Sequence, residues 1–130
     1  MNIAIIGCGN IAQTHAAELH GLGHQIVAAI NATPQKAERF AAQWGASYAG
    51  SDIARALADD IDVVHICTPP TLHDEMVRTV IEAGKHVICE KPLCLDPVQA
   101  RDLWQRVQAK GVVAAVNFNV RYHEACQRAR

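Results

Sequence analysis

The chain has 130 residues, half of them hydrophobic, with 12 basic against 13 acidic side chains and a formal net charge of −1. That is the size of one ordinary domain with a real core. No basic stripe points to nucleic acid, and no apolar run approaches the roughly 18 residues of a membrane helix, so neither partner is expected. Met1 lies directly against the first apolar run, which leaves no room for a signal peptide. The 5 cysteines sit mostly in or beside predicted strands and form no Cys-x-x-Cys pair. They read as reduced thiols of a cytoplasmic protein.

In chain order, Ile3 to Ile6 reads as a strand buried on both faces. It runs into Gly7-Cys8-Gly9-Asn10-Ile11-Ala12, which fits G-x-G-x-x-[GA], and a helix follows to about Leu22. In a dinucleotide fold Gly7 permits the tight turn, Gly9 lets the backbone approach a pyrophosphate, and Ala12 keeps the helix tight against the strand. The free N–H groups and the positive end of the helix then face the phosphates. Gly21 and Gly23 stop that helix, and His24 to Ile30 is a second strand. It ends at Asn31, where such folds usually present an acid to the adenosine ribose. Asparagine still bonds a hydroxyl without repelling a 2′-phosphate. Thr33 reads as an N-cap with Pro34 at the first helical position. Ala37, Phe40, Ala41 and Trp44 form the apolar stripe of the next helix, and Lys36 in its first turn reads as a ligand for a 2′-phosphate or as a solvated lysine.

Ser47-Tyr48 reads as a short third strand, with Ser51 capping a brief helix that carries Ile53 and Leu57. Asp62 to Cys67 is a fourth strand, stopped by Thr68-Pro69-Pro70 because two prolines end ladder pairing. The helix beyond buries Leu72, Met76, Val77, Val80 and Ile81 and ends at Gly84. His86 to Cys89 is a fifth strand that delivers Glu90-Lys91-Pro92. Asp96-Pro97 opens a helix packing Ala100, Leu103, Trp104 and Val107 and closing at Gly111. Val112 to Val116 is a sixth strand, followed by Asn117-Phe118-Asn119-Val120-Arg121 and a helical pattern from about His123 to Arg130.

Alternation of strand and helix with short connections predicts an α/β fold with a doubly wound parallel sheet. Right-handed crossovers place the C-terminal strand ends along one crevice, where ligands bind. A lysine at the end of a buried strand is expensive to place, and Pro92 fixes the backbone beside Lys91. Its ammonium can bond a substrate hydroxyl or carbonyl and stabilise negative charge as hydride leaves or arrives, with Glu90 orienting it; the plain alternative is a lysine reaching solvent. His73 is expected either to touch cofactor or substrate or to be an ordinary helical histidine. Cys67 and Cys89 read as small core residues, since no base is paired with them. His15, His20 and His24 are spaced too loosely for a metal site, and none is expected.

Gly-Cys-Gly-Asn-Ile-Ala, Cys67-Thr68-Pro69-Pro70-Thr71-Leu72-His73 and Ala83-Gly84-Lys85-His86-Val87-Ile88-Cys89-Glu90-Lys91-Pro92-Leu93 together resemble the N-terminal half of the Gfo/Idh/MocA oxidoreductase family. The resemblance implies a Rossmann fold and a dehydrogenase or reductase using NAD or NADP on sugars, cyclitols and related carbonyl compounds. It places Gly7, Gly9, Asn10 and Ile11 along the pyrophosphate and Asn31 at the adenosine ribose. Cys67, Thr68, Pro69, Leu72 and His73 would flank the nicotinamide, and Glu90, Lys91 and Pro92 match the family's Glu-Lys-Pro, whose lysine is catalytic. Asn119 and Arg121 fall near the cofactor by a looser match. Asn31, in place of the frequent acid, leaves NADP permitted.

Family members continue into a second α/β domain that supplies the proton acceptor, much of the substrate pocket and the usual oligomer interface. Residues 1–120 are therefore expected to be the cofactor domain and 121–130 the start of a helix leading toward that half. A truncated chain unable to catalyse alone is the leading expectation, its partner being the missing half or a second copy. A non-catalytic dinucleotide-binding or sensing module is the alternative.

Overall fold

A computed structural model describes residues 1–129. β1 (Asn2–Ile6), β2 (Gln25–Ile30), β3 (Tyr48–Gly50), β4 (Val63–Ile66), β5 (His86–Glu90) and β6 (Ala114–Asn117) form one sheet in the order β3-β2-β1-β4-β5-β6. Every pairing is parallel. The connecting helices are α1 (Asn10–Gly21), α2 (Pro34–Trp44), α3 (His73–Glu82) and α4 (Pro97–Lys110), and a short α5 (Glu124–Arg128) follows β6. The expected helix from His123 is present, with His123 itself at the N-cap; its last expected residue, Arg130, lies outside the described residues.

The sheet is covered from both sides, as the apolar runs of its strands require. On one side Ala12, Ala16 and Leu19 of α1 and Ala37, Phe40 and Ala41 of α2 meet Ile3, Ile5, Ala29 and Val63. On the other, Val77, Val80 and Ile81 of α3 and Leu103 of α4 meet Ala4, Ile6, Val64, Ile66 and Val87. The doubly wound expectation holds. β6 is the bare edge: Ala114, Ala115 and Val116 are all exposed.

Several local readings change. The brief helix at Ile53–Leu57 is 3₁₀, and Asp52 caps it rather than Ser51, its Oδ1 accepting from the Ala54 N–H at 2.9 Å. A carboxylate one residue nearer the helix reaches the free N–H that Ser51 cannot. Thr33 holds the N-cap place of α2 without a side-chain cap bond, and Pro34 starts that helix as expected. A 3₁₀ turn, Pro70–Leu72, precedes α3 and leaves Leu72 41 % exposed instead of buried. In α4 only Leu103 is buried and Trp104 is 62 % exposed, because α4 lies near the exposed edge strand.

Register sets the crevice. Ile6 pairs with Ile30 and with Ile66, Ile66 with Cys89, and Cys89 with Val116. The strands therefore end level, and Gly7, Asn31, Cys67 and Glu90-Lys91 emerge on one edge of the sheet.

Candidate functional site

The bend after β1 is built on Gly7. Its φ is +93°, and a Cβ there would lie 2.6 Å from the Cys67 carbonyl oxygen and 2.9 Å from the Thr68 nitrogen. Glycine is thus required twice, by the left-handed backbone and by the close approach of β4's continuation. The Gly7 N–H donates to the Ile30 carbonyl at 2.8 Å, and the Cys67 N–H to that of Ile6 at 2.8 Å. Gly9, the N-cap of α1, has no such crowding: a Cβ there meets nothing within 4 Å. No side chain caps the helix, so its first N–H groups face that space without a side-chain acceptor.

Asn31 ties the second strand end to the bend. Its Oδ1 accepts the Cys8 N–H at 3.1 Å and its Nδ2 donates to the Thr33 carbonyl at 3.2 Å. Beside it lies a cavity of about 360 Å³ bordered by Cys8, Gly9, Asn10, Gln13, Lys36 and Arg39, among others. Lys36 and Arg39 are exposed, one helical turn apart, and neither enters an ion pair among the described residues. Arg39 was missed in the sequence, although its i+3 spacing from Lys36 on a predicted helix was a legible signal.

At the end of β4, Cys67 is buried, and burial pushes its thiol up to about 12, with Glu90 adding to the shift. Burial also lifts Cys89 to about 12 and Cys8 to about 11. All three stay protonated thiols rather than nucleophiles. Thr68 and Pro69 lie on the loop, the Thr68 hydroxyl donating to the Met76 sulfur at 3.4 Å. His73 departs from the expectation of cofactor contact. It has no exposed surface, and its ring nitrogens face the carbonyls of Pro92 at 2.7 Å and Thr68 at 2.8 Å. Both edges of the ring are used within the protein, so it binds two loops together.

At the end of β5, Glu90 is 7 % exposed while Lys91 is exposed; the Lys91–Pro92 peptide is cis. Glu90 Oε1 accepts from His15 Nε2 at 2.9 Å and from Asn117 Nδ2 at 2.5 Å, and Oε2 accepts the Lys91 N–H at 3.3 Å. Burial alone would raise this carboxyl, but the bonds from Asn117 and His15 outweigh it and hold the group below the usual carboxylate range. His15 in turn meets His65 of β4, Nδ1 to Nδ1, at 2.8 Å. Burial first, then the charges of His15 and His24, lower His65 to about 4. His15 occupies the buried stripe Ala12, His15, Ala16, Leu19 of α1; this i, i+3, i+4, i+7 spacing was readable, but its meeting with His65 was not.

The glycine bend, Asn31, Cys67-Thr68 and Glu90-Lys91 are therefore brought together. Asn119 lies elsewhere, along a separate cavity shared with His15, His65 and Asn117. Arg121 is exposed, its guanidinium 5.7 Å over the Tyr122 ring. Among the described residues no group of three His, Cys, Asp or Glu side chains could hold a metal ion, and no helix is long and apolar enough to cross a membrane.

A parallel sheet ordered 3-2-1-4-5-6, with a glycine bend opening its first helix and polar groups at the strand ends beside it, defines a dinucleotide-binding domain of the Rossmann type. The profile of GFO_IDH_MocA, described as an oxidoreductase family with an NAD-binding Rossmann fold, matches residues 1–118, and the chain belongs to that family. It is 35 % identical over 129 residues to 4-carboxy-2-hydroxymuconate-6-semialdehyde dehydrogenase of Sphingobium sp., covering 98 % of this chain and 41 % of that protein. It is 33 % identical to inositol 2-dehydrogenase of Rhizobium meliloti, covering 94 % of this chain and 37 % of the relative. The crystal structure of KijD10, a 3-ketoreductase from Actinomadura kijaniata in complex with NADP, superposes with a TM-score of 0.91 at 28 % identity, covering 99 % of this chain and 42 % of that one. The chain thus spans about two-fifths of the length of the relatives it matches.

Proposed function

We propose that this chain is the cofactor half of a dehydrogenase or reductase that moves hydride between a nicotinamide dinucleotide and a sugar, cyclitol or related carbonyl compound. Residues 1–120 form that half, and 121–130 lead toward a substrate domain of the kind the longer relatives have room for. The reading rests on one observation: the Gly7–Gly9 bend and the Lys91 tip open on the same sheet edge.

The residues fit the cofactor. Open space at Gly9 and the uncapped start of α1 suit a pyrophosphate, which Gly7, Gly9, Asn10 and Ile11 would line. Asn31 has its side-chain oxygen committed to the Cys8 N–H, so it presents an amide rather than a carboxylate toward the ribose. With Lys36 and Arg39 alongside, a 2′-phosphate is accommodated and NADP is accepted as well as NAD. Cys67, Thr68, Pro69 and Leu72 flank the nicotinamide end, and His73 sets that loop from behind. The bound cofactor supplies or takes up the hydride. Lys91, exposed at the strand tip, donates a hydrogen bond to the substrate oxygen and offsets the negative charge that grows on it. Glu90 and Pro92 hold the Lys91 backbone. The proton acceptor and the determinants of substrate identity lie in the other half.

Titrating the chain with NADH and with NADPH while following nicotinamide fluorescence tests the reading. Saturable binding of at least one is expected, and no binding of either at millimolar concentration overturns it.

A further inference from the structure

Behind the crevice, His65, His15 and Glu90 form a buried row of titratable side chains drawn from β4, α1 and β5. Glu90 has no lysine or arginine partner among the described residues, and the exposed Lys91 reaches it through the backbone alone. Buried carboxylates need a balancing group, and here that group is His15. The Asn117 amide nitrogen lies 3.1 Å from His15 Nε2 but 2.5 Å from Glu90 Oε1, so it directs its N–H to the carboxylate. A carboxylate oxygen only accepts, and His15 Nε2, at 2.9 Å from it, carries the proton. His15 Nδ1 then faces His65 Nδ1 at 2.8 Å, and such a pair needs one proton between the two atoms. With two protons it repels; with none it is two lone pairs in contact.

The two rings are thereby locked to each other. When His15 is charged it donates from Nδ1, and His65 must be the Nε2–H tautomer. When His15 is neutral, His65 must donate from Nδ1. Both rings are never charged together. The other groups around the unit are Glu18 on α1 and the amides of Asn117 and Asn119, His24 after α1, and the neutral thiols of Cys67 and Cys89. A cavity of about 330 Å³, lined by His15, His65, Glu18 and both asparagines, gives the rings a route to water.

We propose that His15, backed by His65, is a positioning residue for the Lys91 tip: the two rings and Glu90 act as one unit holding a single shared proton between the rings. The unit fixes the Glu90 carboxylate, which in turn fixes the backbone that carries the lysine. This rests on the cofactor-half reading for its functional consequence, but not for its proton count.

The test records ring ¹⁵N–¹H correlations of the chain between pH 5.5 and 8.5, and NADH and NADPH affinity for His15→Leu and His15→Gln. In the unsubstituted chain at most one ring gains charge, and His65 changes tautomer in the same step. In His15→Gln, His65 gains its proton at a pH about half a unit or more higher, since its charged neighbour is gone. His15→Leu weakens cofactor binding about five- to tenfold, and His15→Gln, which keeps an N–H for Glu90, recovers most of that loss. Two rings titrating independently, both charged at pH 5.5, would overturn the proposal whether or not any variant folds. So would equal loss in folded His15→Leu and His15→Gln. If the unsubstituted chain binds neither cofactor, the cofactor-half reading fails and the ring titration still decides this one.

Discussion

His73 Nδ1 stands 2.7 Å from the Pro92 carbonyl oxygen, across the gap between the loops that leave β4 and β5, while its Nε2 stands 2.8 Å from that of Thr68. One fully buried ring therefore clasps the two loops expected to enclose the nicotinamide. An imidazole with one N–H donates to one of these carbonyls and packs against the other, so replacing it with leucine strands one buried acceptor, worth about 1–3 kcal/mol. We expect His73→Leu to lower stability by roughly 1–3 kcal/mol in urea unfolding. Its cofactor affinity should fall as well, whereas His20→Ala on the exposed side of α1 should change neither. Unchanged stability in His73→Leu would remove the clasp.

Gly7 and Gly9 separate fold from function. At Gly7 an added methyl collides with the Cys67 carbonyl at 2.6 Å and sits on a backbone with φ +93°. The backbone conformation alone costs about 1–2 kcal/mol for a residue with a Cβ. Gly7→Ala is expected to lose at least ~3 kcal/mol, or to fail to fold. Gly9→Ala meets no protein atom within 4 Å, so its stability should stay within about 1 kcal/mol of the parent. Its methyl occupies the space assigned to the pyrophosphate, and dinucleotide affinity should drop tenfold or more. Calorimetric binding beside thermal melting distinguishes the two; a Gly9→Ala chain that binds normally would contradict that assignment.

Much of this architecture was legible because its signals are local. Apolar runs, Pro34 and Pro97 at helix starts, and the Ala37-Phe40-Ala41 stripe mark elements by spacing alone, and parallel winding follows from their alternation. Burial depends on what lies opposite, which helical spacing alone does not carry. Trp104 and Leu72 carry the right helical spacing but lie beside an exposed edge strand and on a 3₁₀ turn. The glycine bend and the Glu90-Lys91 tip were readable as motifs. The His65–His15–Glu90 row was not, because its members come from three segments whose meeting needs the register between β4 and β5. His73 showed its position but not its orientation, since a helical histidine is the same letter whether it faces the crevice or the loops behind it.

The proposed cofactor half makes cofactor choice turn on three side chains, Asn31 at the end of β2 and Lys36 and Arg39 at the start of α2. Asn31→Asp keeps an oxygen for the Cys8 N–H, loses the donor to Thr33, and adds a negative charge beside the ribose. We expect it to lower NADPH affinity about tenfold or more relative to NADH. Lys36→Ala with Arg39→Ala should weaken NADPH several-fold and leave NADH nearly unaffected. Measured as dissociation constants at two salt concentrations, the NADPH loss should shrink at high salt, because these cations are exposed and screened. An unchanged NADH-to-NADPH ratio in both variants would remove the case for the cationic pair.

The buried row also predicts how stability responds to acid. His65 is lowered from the ordinary 6.5 to about 4, so the unfolded chain binds its proton first. The stabilisation from keeping the ring neutral is complete above pH 6.5 and is lost as pH falls from there toward 4. Glu90 has the same sign through a different cause. Its folded carboxyl is below the usual range, so its contribution is present above the unfolded value and lost as the acid protonates in the fold. Between pH 6.5 and 5 the histidine dominates, and the slope cannot exceed about 1.4 kcal/mol per pH unit for one proton. Urea midpoints at pH 7.5, 6.5, 5.5 and 4.5 should fall along that limb in the parent chain. In His65→Leu the decline between pH 6.5 and 5 should largely flatten, leaving the later carboxylate loss. Glu90→Gln should do the reverse, keeping the upper limb and easing the lower one. Parallel curves for the parent and His65→Leu would mean that the ring takes up its proton in the folded chain as readily as in the unfolded one.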